Sequence, residues 1–274
     1  MLTRIITGVI AIGIFVPVCI FSHTWVFPIV ISALCFIGVY EMAKCLKFDK
    51  NWALTVPMYA IALALPVLRR LVDRNTVFLA CAMVAFFGML LYVLTYTMLK
   101  KHKYQINDVV TFYGLFVYIV GCFSAMVIVR DSGSDGKYMY LLAFLGAWVC
   151  DTFAYFVGKF FGKHKLIPEI SPKKTIEGSI GGIVFTIAAF AIYCAIINGV
   201  YNINLGYVRL CVMGLMLSIV SQIGDLVAST IKRQHDIKDY GNLFPGHGGV
   251  LDRFDSVMLT APTLYIINVI FNLF

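Results

Sequence analysis

Residues 229 to 255 read S-T-I-K-R-Q-H-D-I-K-D-Y-G-N-L-F-P-G-H-G-G-V-L-D-R-F-D, 27 positions holding four acidic residues, four Lys or Arg, two His and four Gly. The chain as a whole is only 13% charged. Long apolar runs flank the stretch on both sides, so its charges stand where a membrane protein can least accommodate idle ones. Basic side chains and glycine backbone suit phosphate, and aspartates suit a hard cation, so the composition is that of a site handling phosphate and metal.

The flanking runs decide the fold. With 274 residues, 61% of them hydrophobic, and a mean hydropathy of +0.88, the chain far exceeds the roughly half apolar share of soluble domains. An all-α integral membrane protein is expected. The eight cysteines are scattered singly, mostly inside apolar runs, and no C-x-x-C pair occurs, so neither a disulfide framework nor a cysteine metal site follows. The net charge of +8 reads as loops facing anionic lipid, with no nucleic acid as partner. Met1 to Phe21 has the charge and apolar run of a leader but no small-residue cleavage site, and is read as a retained first helix.

A span needs about 20 mostly apolar residues. On that rule nine are expected, at about 5–22, 24–40, 52–68, 76–99, 109–129, 138–161, 179–199, 205–229 and 256–273. With the N-terminus inside, alternation places 16 of the 22 basic residues on the inner side, so the positive-inside rule predicts that both long polar loops are cytoplasmic. Arg69, Arg70 and Arg74 fall on the other side and depart from that pattern. Pro57 and Pro66 are expected to disturb the third span.

Residues 1–137 read as a transmembrane scaffold half, with Trp25, Tyr40, Glu41 and Trp52 as interfacial anchors. Residues 138–274 read as the catalytic half, carrying two motif loops at 162–182 and 229–255. Asp151 lies midway along the sixth span, sharing a helical face with Ala147, Tyr155 and Gly158. Intramembrane carboxylates are functional by default, the bland alternative being a buried aspartate satisfied by a hydroxyl. In the loop 162–182, Ser171, Lys174 and Thr175 precede a Gly-rich helix start, where free N–H groups favour an anion. A solvated basic loop, with Gly178, Gly181 and Gly182 serving only close packing, is the competing reading.

Ser218, Ser221, Asp225, Ser229 and Lys232 recur at spacings of three and four, forming one polar stripe that must face protein or water. Asp252 and Asp255 are three apart at the start of the last span. Three carboxylates, Asp225, Asp252 and Asp255, are thus expected to converge and to suit Mg²⁺, which takes one or two carboxylates plus substrate phosphates. His247, in P-G-H-G-G, reads either as a general acid or base or as a turn histidine bonded to backbone.

Over its whole length the 229–255 stretch resembles the signature of the phosphatidate cytidylyltransferase, or CDP-diacylglycerol synthase, family. The segment D-T-F-A-Y-F-V-G-K-F-F-G-K-H-K-L-I-P-E-I-S-P-K-K-T-I-E-G-S-I-G-G, residues 151–182, resembles the family's second motif, with Phe153 in place of a usual Gly and Ile176 in place of a usual Trp. The resemblance implies transfer of CMP from CTP to phosphatidate, giving CDP-diacylglycerol and pyrophosphate. It implies Mg²⁺, with K⁺ admitted beside it, and a bilayer setting; a homodimer is a further expectation from relatives. By residue it implies Asp225 and Asp252 as metal ligands and Asp151 and Asp255 as supporting carboxylates. Lys232, Arg233, Lys238 and Arg253 would hold phosphates, with Asp239 among the catalytic residues. Ser171, Lys174, Thr175, Ser229, His247, Gly248 and Gly249 would complete the substrate pocket. The alternatives weighed are another CTP-dependent lipid enzyme, either a lipid-alcohol kinase or a CDP-ether-lipid synthase, and, from another class, an organic-phosphate transporter.

Overall fold

The structure, a computed structural model, describes residues 2–72, 74–100, 105–133, 136–201 and 205–271, with side chains from residue 6 onward. Lys101, Lys103 and the end of the last expected span lie outside the described residues. Each apolar run becomes a helix, because in lipid a backbone must satisfy its own N–H and C=O groups. Among the described residues there are nine: α1 (Leu2–Ile20), α2 (Val26–Cys45), α3 (Trp52–Leu71), α4 (Asn75–Leu99), α5 (Ile106–Arg130), α6 (Gly136–Phe161), α7 (Ile176–Tyr201), α8 (Tyr207–Gln234) and α9 (Leu251–Phe271). Eight are long and apolar enough to cross a membrane; in α1 the described apolar stretch, Ile6–Ile20, is shorter. The protein is an all-α, multi-pass integral membrane protein.

Two bounds differ from expectation in a way that matters. Helix α8 runs on to Gln234 and α9 begins at Leu251, so Lys232, Arg233, Asp252 and Asp255 are helical residues. Charge does not end either helix: α8 stops at Gln234, just before Asp236 takes a φ of +54°, and α9 starts after the turn in which Gly246 and Gly248 take φ of +78° and +85°. Helix α3 stays continuous through Pro57 and Pro66.

The chain divides into two compact units, residues 1–131 with 235–253, and residues 132–234 with 254–274. In the first, α2 packs on α3 and α5, α3 on α4 and α5, and α1 on α2. Phe112, Phe116, Phe123, Leu54 and Met58 fill this core, and Phe48 stacks on Phe112 at 5.1 Å between ring centroids.

The arginines at the end of α3 are not loose charges. Arg70 forks onto Asp131, at 3.0 Å from Nε and 2.5 Å from Nη2, and also donates to the carbonyls of Ser22 and Thr24. Arg69, 5% exposed, donates to the carbonyls of Val72 and Asp131, and Arg130 donates to the Ser22 hydroxyl at 3.0 Å. Three of the six basic residues that depart from the expected charge bias therefore belong to one buried cluster that joins the ends of α3 and α5 to the start of α2.

In the second unit α6, α7 and α8 pack together. The loop expected between α6 and α7 contains a hairpin, β1 (Lys165–Ile167) antiparallel to β2 (Ser171–Thr175), with Lys165 opposite Thr175 and Ile167 opposite Ser171. Glycines let α6 and α7 touch backbone to backbone: a Cβ on Gly178 would stand 2.6 Å from the Ala154 carbonyl oxygen, and one on Gly182 2.8 Å from that of Cys150. The glycine cluster therefore serves close packing, as its bland reading had it.

Candidate active site

In the second unit the site is assembled by three helices and a strand. Lys174, on β2, reaches Asp225 on α8, with Nζ 2.5 Å from Oδ2, and both side chains are about three-quarters buried. Ser229, one turn on, donates its hydroxyl to Asp225 Oδ1 at 3.3 Å. Asp255, 9% exposed, stands within electrostatic reach of Asp225, Lys232 and Asp151. Gly224 brings α9 close, since a Cβ there would meet the Asp255 carbonyl oxygen at 2.6 Å. Ser256 ties the remaining carboxylates together, its hydroxyl donating to Asp151 Oδ2 and its N–H to Asp255 Oδ1, each at 2.8 Å. The polar stripe on α8 faces protein, with Ser218 and Ser221 fully buried.

In the first unit the Gly-rich segment is shaped by two buried carboxylates. Asp252, 6% exposed, accepts from the backbone N–H of Tyr240 at 2.7 Å and of Gly249 at 3.0 Å. Glu41, near the end of α2 and 4% exposed, accepts from the N–H groups of Val250 and Leu251, both at 2.9 Å. These are the amides of the residue before α9 and of its first residue, so Glu41 supplies the negative charge that a helix N-terminus favours. The glycines are required by this closeness. A Cβ on Gly241 or Gly249 would lie within 2.5 Å of Glu41 Oε1, and one on Gly248 2.7 Å from Asp252 Oδ2. His247 sits in a tight turn, donating its N–H to the Phe244 carbonyl at 2.8 Å, while Phe244 donates to that of Gly248 at 2.9 Å. Its Nδ1 is buried and meets no hydrogen-bond partner among the described residues.

The expected residues thus resolve into groups. Lys174, Asp225, Ser229, Asp255 and Asp151 come together in the second unit. Asp252, Gly248 and Gly249 build the turn in the first. Thr175 caps α7, accepting from the Gly178 N–H at 3.1 Å, and is buried against α6. Ser171 opens β2 half-buried, and Arg233 donates to the Ile170 carbonyl at 3.5 Å. Lys238, Asp239 and Arg253 are exposed.

Glu41 corrects the expectation of an interfacial anchor. Its partners lie more than 200 positions away in sequence, and only a buried charge within an apolar span could have flagged it. Ser256, which links Asp151 to Asp255, was also passed over; a hydroxyl directly after Asp255 was the available hint.

Among the described residues no three His, Cys, Asp or Glu side chains lie close enough to enclose a metal ion. The donor chemistry nonetheless fits a hard cation: the groups are carboxylates, and Asp225 already holds the positive charge of an ammonium. Mg²⁺ needs only one or two such ligands, since it keeps several waters and takes substrate phosphates where they are present.

The geometry is that of carboxylates and cations gathered among the apolar helices of a membrane protein. The model of the Cytidylyltransferase family matches residues 2–271, and the chain belongs to that family. It is 37% identical over 273 residues to a phosphatidate cytidylyltransferase of Bacillus subtilis, covering 98% of both chains. It is 34% identical to one of Staphylococcus haemolyticus, over 97% of this chain and 98% of that one, and 35% identical to one of Staphylococcus aureus, with the same coverage.

Proposed function

We propose that this protein transfers CMP from CTP to phosphatidate, giving CDP-diacylglycerol and pyrophosphate in phospholipid biosynthesis. The observation that carries the reading is family membership along 2–271, with relatives of that name matched over almost their full length. The site chemistry agrees with it. Phosphatidate brings its own nucleophile, a phosphate oxygen, so no Ser or Cys nucleophile is needed. That oxygen bonds to the α-phosphorus of CTP as the bond to the pyrophosphate oxygen breaks. The protein's share is alignment and neutralisation of charge on the departing pyrophosphate. Lys174, Lys232, Arg233, Lys238 and Arg253 are the cations assigned to phosphates, with Ser171 and Ser229 as hydroxyl donors.

Asp225 and Asp252 are proposed as the carboxylates on which Mg²⁺ depends, with Asp255 and Asp151 supporting and K⁺ admitted beside it. When bound, Mg²⁺ would supply charge neutralisation to the phosphates. The carboxylate surplus around Lys174 supports this reading. The site is proposed to face the cytoplasm across the cell membrane, since 16 of 22 basic residues bias that way and CTP is a cytosolic nucleotide. Cysteine at Asn242 in a cysteine-free background is expected to react with impermeant maleimide only from the cytoplasmic side. A homodimer is proposed from the resemblance alone, and cross-linking in native membranes tests it.

Purified protein, given CTP labelled in the cytosine ring and either phosphatidate, an isoprenoid alcohol or no lipid, tests the reaction. Label should enter the lipid phase with phosphatidate alone, with stoichiometric pyrophosphate. Release of labelled CDP with the alcohol would instead make the protein a kinase.

A further inference from the structure

Lys174 is held unusually lightly for a buried cation. Its ammonium carries three N–H donors, yet beyond the contact with Asp225 the buried Nζ meets no hydrogen-bond partner among the described residues. Beyond Asp225 the carboxylates continue, Asp255 standing within electrostatic reach of Asp225, Asp151 and Lys232. A structural ion pair whose side chains are about three-quarters buried gains stability by saturating its donors. This one leaves them unsaturated on a side chain whose four-carbon stem lets the head move without the backbone.

We propose that Lys174 is a tethered stand-in for the divalent cation. It neutralises Asp225 while no metal is bound, gives up that carboxylate when the metal arrives, and carries its ammonium to the nucleotide phosphates. The proposal rests on the reading of Asp225 as a metal ligand. An ammonium 2.5 Å from Oδ2 and a Mg²⁺ ion at the usual ~2 Å from the same oxygen exclude one another by size and by charge. The freed point charge suits phosphate, which lysine commonly binds. One residue would thereby make the site electrically tolerable when empty and would couple metal entry to nucleotide capture.

The coupling has a sign that a structural or simply substrate-binding lysine lacks. While the pair is closed, Asp225 is open to metal for only a fraction of the time, and the apparent metal affinity falls by that fraction. Mn²⁺ binding to the purified full-length protein without nucleotide, followed by electron paramagnetic resonance, measures it. Lys174→Met, which keeps the stem and removes the charge, should tighten Mn²⁺ binding at least about tenfold. Lys173→Met, removing an exposed neighbouring charge, should change it by less than about threefold. Asp225→Asn should weaken it. Unchanged or weaker binding in Lys174→Met overturns the stand-in role while leaving the metal reading intact. Binding that Asp225→Asn leaves untouched overturns both.

A measurement on the unaltered protein guards against a variant that fails to fold. Modification of Lys174 by an amine reagent, read by mass spectrometry, should rise severalfold when Mg²⁺ alone is added, and an unchanged rate would overturn the proposal.

Discussion

Arg70 and Lys174 each meet an aspartate inside this membrane protein, and they are held in opposite ways. Arg70 grips Asp131 with two donors of its guanidinium and gives two more to the carbonyls of Ser22 and Thr24. Lys174 touches Asp225 at one point and leaves its other donors unused. The first arrangement is closed: arginine's rigid fork matches carboxylate and backbone together. The second is open, with Asp255 near by and itself within electrostatic reach of Asp151 and Lys232. Saturated polar groups hold a fold; unsaturated ones await a ligand.

The contrast breaks first at the aspartates. Asp225→Asn keeps shape and loses charge, so turnover should fall at least ~10³-fold, about 4 kcal/mol of transition-state stabilisation. Asp252→Asn should do the same. Mg²⁺ titration of each variant decides whether the loss is metal-linked, and wild-type Mg²⁺ dependence in either would sink that variant's assignment as a ligand.

Arg70→Ala should act on stability instead. Leaving Asp131 partly buried without its fork should cost about 3 kcal/mol, read as thermal unfolding in detergent, while turnover per folded molecule stays near that of the parent. A matching loss of turnover would erase the distinction between the two pairs.

Gly178→Ala tests the frame beneath the open pair. Its new Cβ would collide with the Ala154 carbonyl, 2.6 Å away, and the repacking of α6 against α7 should cost about 2 kcal/mol of stability. Lys174→Ala is the smallest change: turnover should drop at least about tenfold, near 1.4 kcal/mol, with insertion unaltered. A near-normal rate in a correctly inserted protein would return β2 to a solvated hairpin.

What the sequence made legible follows one rule, that local regularities show and distant pairings do not. Helices appear as apolar runs, and the stripe from Ser218 to Lys232 appears because helical spacing places those residues on one face. The bounds of α8 and α9 are hard to read because charged residues suggest loop, although α8 runs through Lys232 and Arg233 and α9 through Asp252 and Asp255. The hairpin stayed hidden because S-P-K-K-T lacks the apolar alternation that marks a strand. Arg69 and Arg70 looked anomalous because Asp131, about 60 positions on, was not yet their partner. Glu41 was missed for the same reason at greater separation.

That separation also sets an order of events during synthesis. Glu41 emerges early, in the second helix, and the amides it binds belong to Val250 and Leu251, 209 and 210 residues later. At roughly 5–20 residues per second, its carboxylate waits about 10 to 40 s before the groups that neutralise it exist. During that interval α2 carries near one end a charge that lipid disfavours, and the segment is best served by staying close to the interface or to the insertion machinery. The turn bearing His247 can close only after α9 has begun to emerge, so the finishing of the site is among the last acts of assembly. A chain cut short before residue 250 would hold most of its helices and still lack the contact that seats them to its signature loop.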